Sequence, residues 1–599
     1  MNINYKKYIV MKNKLHTILL LFVCFLSLFA CEDINDKHDI YMRDGEELHV
    51  GKMDSLYLYP GNLRAQLKCW ITDRRSVWLM VQKDNSEEEQ WISLPEGNRE
   101  DSIVVYIEGL DEGSNQLTFM TTNEDKSVFS VPLKQSVTVY GEKFQQGLMQ
   151  RTVEHVEAAE GFLRISWGPK TTEQLVGEKI CYKDINGKEC THVTSADNNV
   201  SVISNVDLSA GMFEYSSLYL PVSTAVDTFA VNKEKVEYTI TPRPEGMKKN
   251  AIQIAKEIKL GWNLGNSLEV GSGETAWGNP KTTKELITAV KNAGFSAVRI
   301  PCIWTAYASN DGTYKIQADR MARVKEVVDY CIGNGLYVIL NTMHDWIDKF
   351  NYKEYDENKV IEADNKIKIV WGQIADNFNE YGDKLLFAFA NECDVPRAAM
   401  PVFKRFEQTF VDVVRKSGGN NLYRTLVVQC PMTDIDRAYQ YMDLVTDPTP
   451  LSLMTEVHYY TPWSFCGVNE GTFFWGEDYK IYGQIEEGYQ EDYVCSQFNK
   501  VREMFTSKGI PVVLGEFGAQ YGNKVKLEDP ELQAKAEESR AYFMQYVTEQ
   551  AKNYGLIPFI WDDGWNFPLM DRRNCKVIET RQMDMDALNK GAEAGVYPF

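Results

Sequence analysis

The chain has 599 residues, too many for one hydrophobic core, and its length predicts about three or four domains. Its 85 acidic residues against 64 basic ones give a formal net charge of −21, which repels phosphate backbones and argues against nucleic acid as a partner. A neutral polymer is not repelled, and 13 Trp with 32 Tyr supply large flat side chains for cores or for a ligand with an apolar face.

Residues 1–30 read as an export signal. Lys12 and Lys14 precede the apolar run Ile18 to Leu26, which is short for a membrane span and has the basic flank of a signal peptide. The run ends Leu28-Phe29-Ala30-Cys31, which resembles the lipobox of bacterial lipoproteins, with Phe29 where a small residue is usual. Cys31 is then the lipidated residue, and its acyl group tethers the protein to the membrane without a span. Met11 is a second candidate start, and an uncleaved anchor helix is the alternative. Glu32 and Asp33 follow at once, as in lipoproteins displayed on Bacteroides-like cells. The expectation is a secreted lipoprotein of the outer membrane, at the cell surface or on the periplasmic face. Residues 31–50 are polar and read as a tether.

From 51 to 142 short alternating strands recur, such as Ser55–Tyr59, Val77–Val81 and Ser102–Ile107, punctuated by Gly, Pro, Asn and Asp. This pattern predicts an antiparallel β-sandwich of immunoglobulin or fibronectin type. Residues 143–240 repeat the style and predict a second sandwich. Trp78 and Trp167 lie on alternating strands and read as core. Of 12 Cys, only Cys181 and Cys190 suggest a pair, because they flank the hairpin signal Asp184–Lys188. A disulfide and two buried thiols both remain open there.

Residues 241–247 carry a Pro/Gly linker signal, Thr241-Pro242-Arg243-Pro244-Glu245-Gly246. From 248 to 599 buried strands alternate with amphipathic helices, the mark of parallel βα units. Eight strands can be counted: Leu260–Asn266, Ala297–Cys302, Tyr337–Met343, Leu385–Asn391, Thr425–Cys430, Leu453–Tyr460, Pro511–Phe517 and Pro558–Trp561. They predict a TIM (β/α)8 barrel, with the helices after strands five and six the least distinct.

A TIM barrel holds its site at the C-terminal strand ends. There the sequence places Asn266, Glu269, Arg299, His344, Asp345, Asn391, Glu392, His458, Tyr460, Glu516, Trp561 and Asp562. Two of the seven His lie in the barrel, without compact metal-ligand spacing, so neither a metal nor a cofactor is expected. Glu392 and Glu516 each end an apolar strand, and burying a carboxylate costs several kcal/mol unless it is compensated. Two carboxyls facing one site are the apparatus of glycoside hydrolysis, held ~5–5.5 Å apart in retaining enzymes and ~6.5–9.5 Å apart in inverting ones.

The segments Gly261–Asn266, Glu274–Thr283, Val298–Pro301, Asn391-Glu392, His458–Tyr460 and Gly515–Gly518 together resemble glycoside hydrolase family 5. The second is similar to its subfamily 4, known for endo-β-1,4-glucanases and xyloglucanases. The resemblance implies Glu392 as acid/base and Glu516 as nucleophile, with a covalent glycosyl-enzyme and net retention. It implies that Asn391 holds the sugar 2-hydroxyl, that Arg299 and Tyr460 attend the nucleophile, that His458 supports the acid/base, and that Trp561 floors the subsite of the cleaved sugar. Asn266, His344, Trp277 and Trp463 complete the expected substrate-binding set. The acid role further requires the Glu392 carboxyl to titrate above that of Glu516. The chain departs from the family at Met343-His344, where a His-His pair is usual, and at Asn391-Glu392-Cys393, where Asn-Glu-Pro is usual.

Seven Trp lie in or beside loops that follow strands: Trp277, Trp304, Trp346, Trp463, Trp475, Trp561 and Trp565. Apart from Trp561, each is either a sugar platform or loop core. The leading expectation is an endo-acting enzyme on β-1,4-glucan or xyloglucan. Mannan or mixed-linkage glucan, and a non-catalytic surface glycan-binding lipoprotein, are the alternatives. A purely adhesive protein accounts for the sandwiches but not for the barrel.

Overall fold

The computed structural model describes residues 50–84, 86–96, 101–240, 242–522 and 524–599. The export segment, Cys31 and the tether up to residue 49 lie outside the described residues. Among the described residues no helix is long and apolar enough to cross a membrane. The chain divides into two compact units, one running to Met149 and including Leu218–Val231, the other comprising Gln150–Ser217 and Asn232–Phe599.

In the first unit, Ser55–Pro60, Ala65–Trp70 and Ile103–Ile107 form an antiparallel sheet. Glu89–Ser93, Trp78–Lys83, Gly113–Thr122 and Leu133–Val139 form another. Leu67, Cys69, Leu79, Val81, Leu117, Phe119 and Val137 meet in one core, the alternation that a two-sheet sandwich requires. Trp78 departs from the expectation of core. Leu79 and Val81 take the inward positions, which leaves Trp78 half-buried, with the Lys126 ammonium 4.8 Å from its ring and 3.8 Å from that of Trp91.

The second unit begins with further antiparallel sheet. Val153–Ala159, Phe162–Trp167 and Val200–Ile203 pair in one sheet, and Leu175–Lys183 pairs with Glu189–Ser195 in a second. Trp167 is core as expected, buried against Tyr215, with its indole N–H donating to Ser201 Oγ at 2.8 Å. Cys181 and Cys190 are free thiols. Cys181 pairs with Thr191 and Cys190 with Tyr182, so period-two alternation sends the two side chains to opposite faces of the sheet, where no disulfide can form. Arg243, within the stretch expected as a linker, is buried. It pairs with Glu160 at 2.9 Å and donates to the carbonyls of Tyr423 and Pro450 at 3.0 and 2.9 Å. Five donors on a rigid fork suit that role, and they fasten this second β-region to the barrel that follows.

The barrel strands are β1 (Gly261–Asn263), β2 (Ala297–Ile300), β3 (Tyr337–Leu340), β4 (Leu385–Ala388), β5 (Leu426–Gln429), β6 (Leu453–Tyr459), β7 (Val512–Phe517) and β8 (Leu556–Ile560). They close in sequence order and are nearly all buried along their length, as apolar runs between two covering layers must be. Helices follow every strand, and even the two indistinct ones form, as Ile435–Tyr441 and Glu491–Met504. Helix entries carry side-chain caps, among them Thr283, Asp356, Asp434 and Asp529, each accepting from an otherwise unpaired backbone N–H. Ahead of β1, Ala251–Glu257 opens with a capping box of Asn250 and Gln253. It presses Ile254 and Ala255 against Ile339, Leu386, Val513 and Ile557 at the closed end of the barrel. The open end, at the C-terminal edges of the strands, is left for chemistry.

Candidate active site

Two irregularities aim the side chains of the open end. The β6–β7 register shifts between Val457 and His458, so that His458 stands opposite Glu516. The β7–β8 register shifts between Leu514 and Phe517. Such bulges re-aim a side chain that regular pleating would direct elsewhere. Gly515 lies at this shift, and a β-carbon there would come within 2.1 Å of Glu456 Oε1.

Arg299, on β2, is fully buried and is the hub. Its Nη1 donates to Glu516 Oε1 and to Asn263 Oδ1, both at 3.0 Å. Its Nη2 donates to Asn391 Oδ1 at 2.6 Å and contacts Glu456 Oε1 at 2.8 Å. The Tyr460 hydroxyl donates to Glu516 Oε2 at 3.2 Å. His458 Nδ1 lies 2.8 Å from Glu392 Oε1 and 3.7 Å from Glu516 Oε2, and its Nε2 lies 3.2 Å from Glu456 Oε1. One ligand atom each from Glu392, His458 and Glu516 falls within 4.8 Å of the others. These three are the candidate metal-ligand cluster among the described residues, and Arg299 already places a positive charge beside Glu516.

The structure thus brings together Arg299, Asn391, Glu392, His458, Tyr460 and Glu516. Glu516 is almost buried, whereas the Glu392 side chain is 37% exposed. Trp561 is buried, with its backbone N–H donating to the Phe517 carbonyl at 2.9 Å. Trp463 lies on the rim, exposed, its ring 6.3 Å from that of Tyr460. Trp277 is also exposed and stands 5.6 Å from the ring of His344. His344 therefore stands against this rim tryptophan, and the Glu392 charge also acts on it. Its Nδ1 is buried without a hydrogen-bond partner, and burial, with Lys349 nearby, holds its pKa below the usual value. Met343 is buried, its N–H on the Cys302 carbonyl at 2.7 Å.

Asn266 adopts a left-handed backbone (φ 54°) and gives its N–H to Glu269, while Asn279 donates to its carbonyl at 3.0 Å. Both contacts are made by its backbone, which they fix as a turn. Glu269, Asp345 and Asp562 are likewise structural. Asp345 accepts from the N–H groups of Trp304 and Trp346 at 2.7 and 2.8 Å, and Asp562 accepts from the indole of Trp262 at 2.9 Å. Trp304 and Trp475 are fully buried and belong to the core. Trp565 is exposed on the rim and donates to the Trp277 carbonyl at 2.9 Å.

Three polar residues escaped sequence reasoning: Asn263, Gln429 and Glu456. Glu456 is fully buried within β6, and its Oε2 accepts from Gln429 at 3.1 Å. The available signal was a carboxylate two residues before His458, on the same face of one strand.

The electrostatics of the site centre on His458. Burial pushes His458 down, but Glu516, Glu392 and Glu456 together drive it up to about 10. Burial pushes Glu392 up, yet the His458 hydrogen bond and charge, with Arg299, outweigh it, and Glu392 ends below the ordinary carboxylate value. Glu516 ends above that value, because burial and its carboxylate neighbours outweigh His458 and Arg299. The two carboxyls lie in one field with His458, and the His458–Glu392 hydrogen bond is the path by which a proton can pass between ring and carboxyl.

A closed parallel barrel whose two strand-end carboxylates meet beside one histidine and one buried arginine has the apparatus of a glycoside hydrolase. Residues 263–566 match the cellulase family, glycosyl hydrolase family 5, and the chain belongs to that family. Residues 31–229 match a domain of unknown function. Endoglucanase A of Paenibacillus barcinonensis is 34% identical over 371 residues, 57% of this chain and 90% of that protein. A xyloglucan-specific endo-β-1,4-glucanase of Bacteroides ovatus is 33% identical over 355 residues, 56% of this chain and 69% of that one. Among solved structures, a family 5 xyloglucan-specific β-1,4-glucanase from a ruminal metagenomic library, in complex with XXLG, superposes with a TM-score of 0.53 at 37% identity, covering 59% of this chain and 98% of its own. A broad-specificity endoglucanase from Clostridium acetobutylicum superposes with a TM-score of 0.50 at 31% identity, covering 57% of this chain and 99% of its own.

Proposed function

We propose that the protein is a retaining, endo-acting β-1,4-glucanase that accepts xyloglucan or a related glucan backbone. The observation that carries the reading is the pair of carboxylate oxygens, one from Glu392 and one from Glu516, within 4.8 Å of each other and of a His458 nitrogen. Glu516 is the nucleophile, oriented by Arg299 and Tyr460, and its carboxylate attacks the anomeric carbon. Glu392 is the acid/base. The His458 proton crosses the 2.8 Å hydrogen bond to Glu392 and passes on to the departing glycosidic oxygen. Water then attacks the glycosyl-enzyme as Glu392 takes its proton, and Glu516 is released. Asn391, held by Arg299, faces the 2-hydroxyl, and Trp561 floors the subsite. The rim tryptophans Trp277, Trp463 and Trp565 offer ring faces to further sugars. The glucanase and xyloglucanase relatives support the glucan backbone as substrate.

Reducing-sugar release from xyloglucan and from carboxymethylcellulose tests the reading, with Glu516→Gln as the control. Binding of either polymer without release would instead favour a glycan-binding protein, the reading that Met343 motivates. The lipobox-like Leu28–Cys31 further supports export and lipid anchoring at Cys31, with display on the outer membrane. Labelling with a tagged fatty acid tests this, since Cys31→Ala should abolish incorporation.

A further inference from the structure

Glu456 is fully buried and touches both Arg299 and His458. One oxygen serves Arg299 at 2.8 Å and His458 Nε2 at 3.2 Å, and the other serves Gln429 at 3.1 Å. Gly515 leaves the space that its carboxylate fills. An ionised carboxylate only accepts hydrogen bonds, so a proton stays on His458 Nε2. The opposite nitrogen, Nδ1, is then left to share one proton with Glu392 Oε1 at 2.8 Å. The charged groups around the imidazole are Glu392 from the end of β4, Glu456 from β6, Glu516 from β7 and Arg299 from β2, with the Tyr460 hydroxyl bound to Glu516. Three carboxylates thus surround the ring against one permanent cation. Without Glu456 the balance would be two against one.

We propose that Glu456 is a positioning residue that fixes the tautomer and charge of His458, so that Nδ1 can give a proton to Glu392 and take it back in each turnover. The inference rests on the reading of Glu392 as acid/base and Glu516 as nucleophile. The step is balanced: one N–H bond breaks as one O–H bond forms, the proton leaves with the glycosidic oxygen, and water replaces it in the second half-reaction. A carboxylate that orients a histidine through its far nitrogen recurs wherever the near nitrogen does chemistry.

The test is the pH profile of kcat/KM on xyloglucan for the wild type, Glu456→Gln and Glu456→Asp. Glu456→Gln keeps the shape and removes the charge, so the alkaline limb should fall by about one pH unit or more. Its rate above that limb should drop about tenfold or more, with recovery at lower pH. Glu456→Asp, which keeps the charge, should hold the limb near that of the wild type. Equal losses in both variants at every pH, with the limb unmoved, would overturn the proposal and leave Glu456 a scaffold residue. Nitrogen NMR of labelled histidine in the wild type reads the same point without a variant. An imidazolium at neutral pH, or a neutral ring protonated at Nε2, supports the proposal, and a neutral ring protonated at Nδ1 contradicts it. Glu516→Gln separates the two layers: if that variant still hydrolyses polymer, the underlying assignment fails whatever Glu456 does.

Discussion

His458 joins Glu392 on one side, through Nδ1 at 2.8 Å, and Glu456 on the other, through Nε2 at 3.2 Å. A ring held between two carboxylates retains its proton to higher pH than a free imidazole, and these carboxylates drive His458 up to about 10. On the proposed reading, acid catalysis draws on the hydrogen bond between Glu392 and His458 as well as on Glu392 itself.

Glu392→Ala removes the donor but leaves Glu516 and Arg299 in place. Hydrolysis of unactivated polymer should fall by about 10²–10⁴-fold, while a glycoside with a good leaving group should still form its glycosyl-enzyme. Steady-state rates on polymer, compared with the pre-steady-state burst on an aryl glycoside, check this. Equal loss on both substrates would contradict the acid role.

The pH profile follows from the directions of the shifts. Glu516 must be ionised to attack and is raised by burial, so activity should be lost on acidification at a pH above the ordinary carboxylate range of about 4. The acid half must keep its proton, which His458 holds up to about 10, so the alkaline limb should lie well above that of a free imidazole. The profile of kcat/KM reads both limbs in the free enzyme.

Arg299→Met should leave Glu516 and Glu456 buried without their shared cation. Breaking a buried pair in this way costs about 3–5 kcal/mol, so the melting temperature should fall by several degrees and activity should vanish. Arg299→Lys keeps the charge but cannot make the forked contacts to Asn263, Asn391, Glu456 and Glu516. It should fold better than the Met variant and remain impaired. Calorimetry alongside activity distinguishes the two effects.

Gly515→Ala places a methyl group 2.1 Å from Glu456 Oε1. Overpacking of this kind costs about 1–3 kcal/mol, and here the carboxylate must move away from His458. The expected phenotype combines lower thermal stability with an alkaline limb displaced in the same direction as in Glu456→Gln.

Much of this site was legible before any coordinates. Glu392 and Glu516 stand out because each ends an apolar strand, where an uncompensated charge has no structural reason to be. The (β/α)8 order was equally readable, since eight short buried runs alternate with helical segments. Glu456 escaped because it lies inside a strand, where its neighbours Thr455 and Val457 read as ordinary sheet. His458 is two residues along the same strand, but the other partner, Arg299, is 157 residues away in sequence, a pairing that the β6 pattern does not encode. The tryptophans divide by loop packing, which composition does not report: Trp304 and Trp475 turn inward while Trp277, Trp463 and Trp565 face solvent. The Cys181–Cys190 pairing failed on register, because a hairpin turn signal sets proximity but not which face each side chain takes. The position of His458 between Glu392 and Glu456 was not legible either, because it is set by how neighbouring strand ends meet.

The most direct test of the account is the anomeric configuration of the product released first, followed by proton NMR during hydrolysis of a β-linked gluco-oligosaccharide. Attack by Glu516 and then by water inverts the centre twice, so the β-anomer should appear first and mutarotate later to the α-form. First appearance of the α-anomer would mean a single displacement by water and would contradict the assignment of Glu516 as nucleophile.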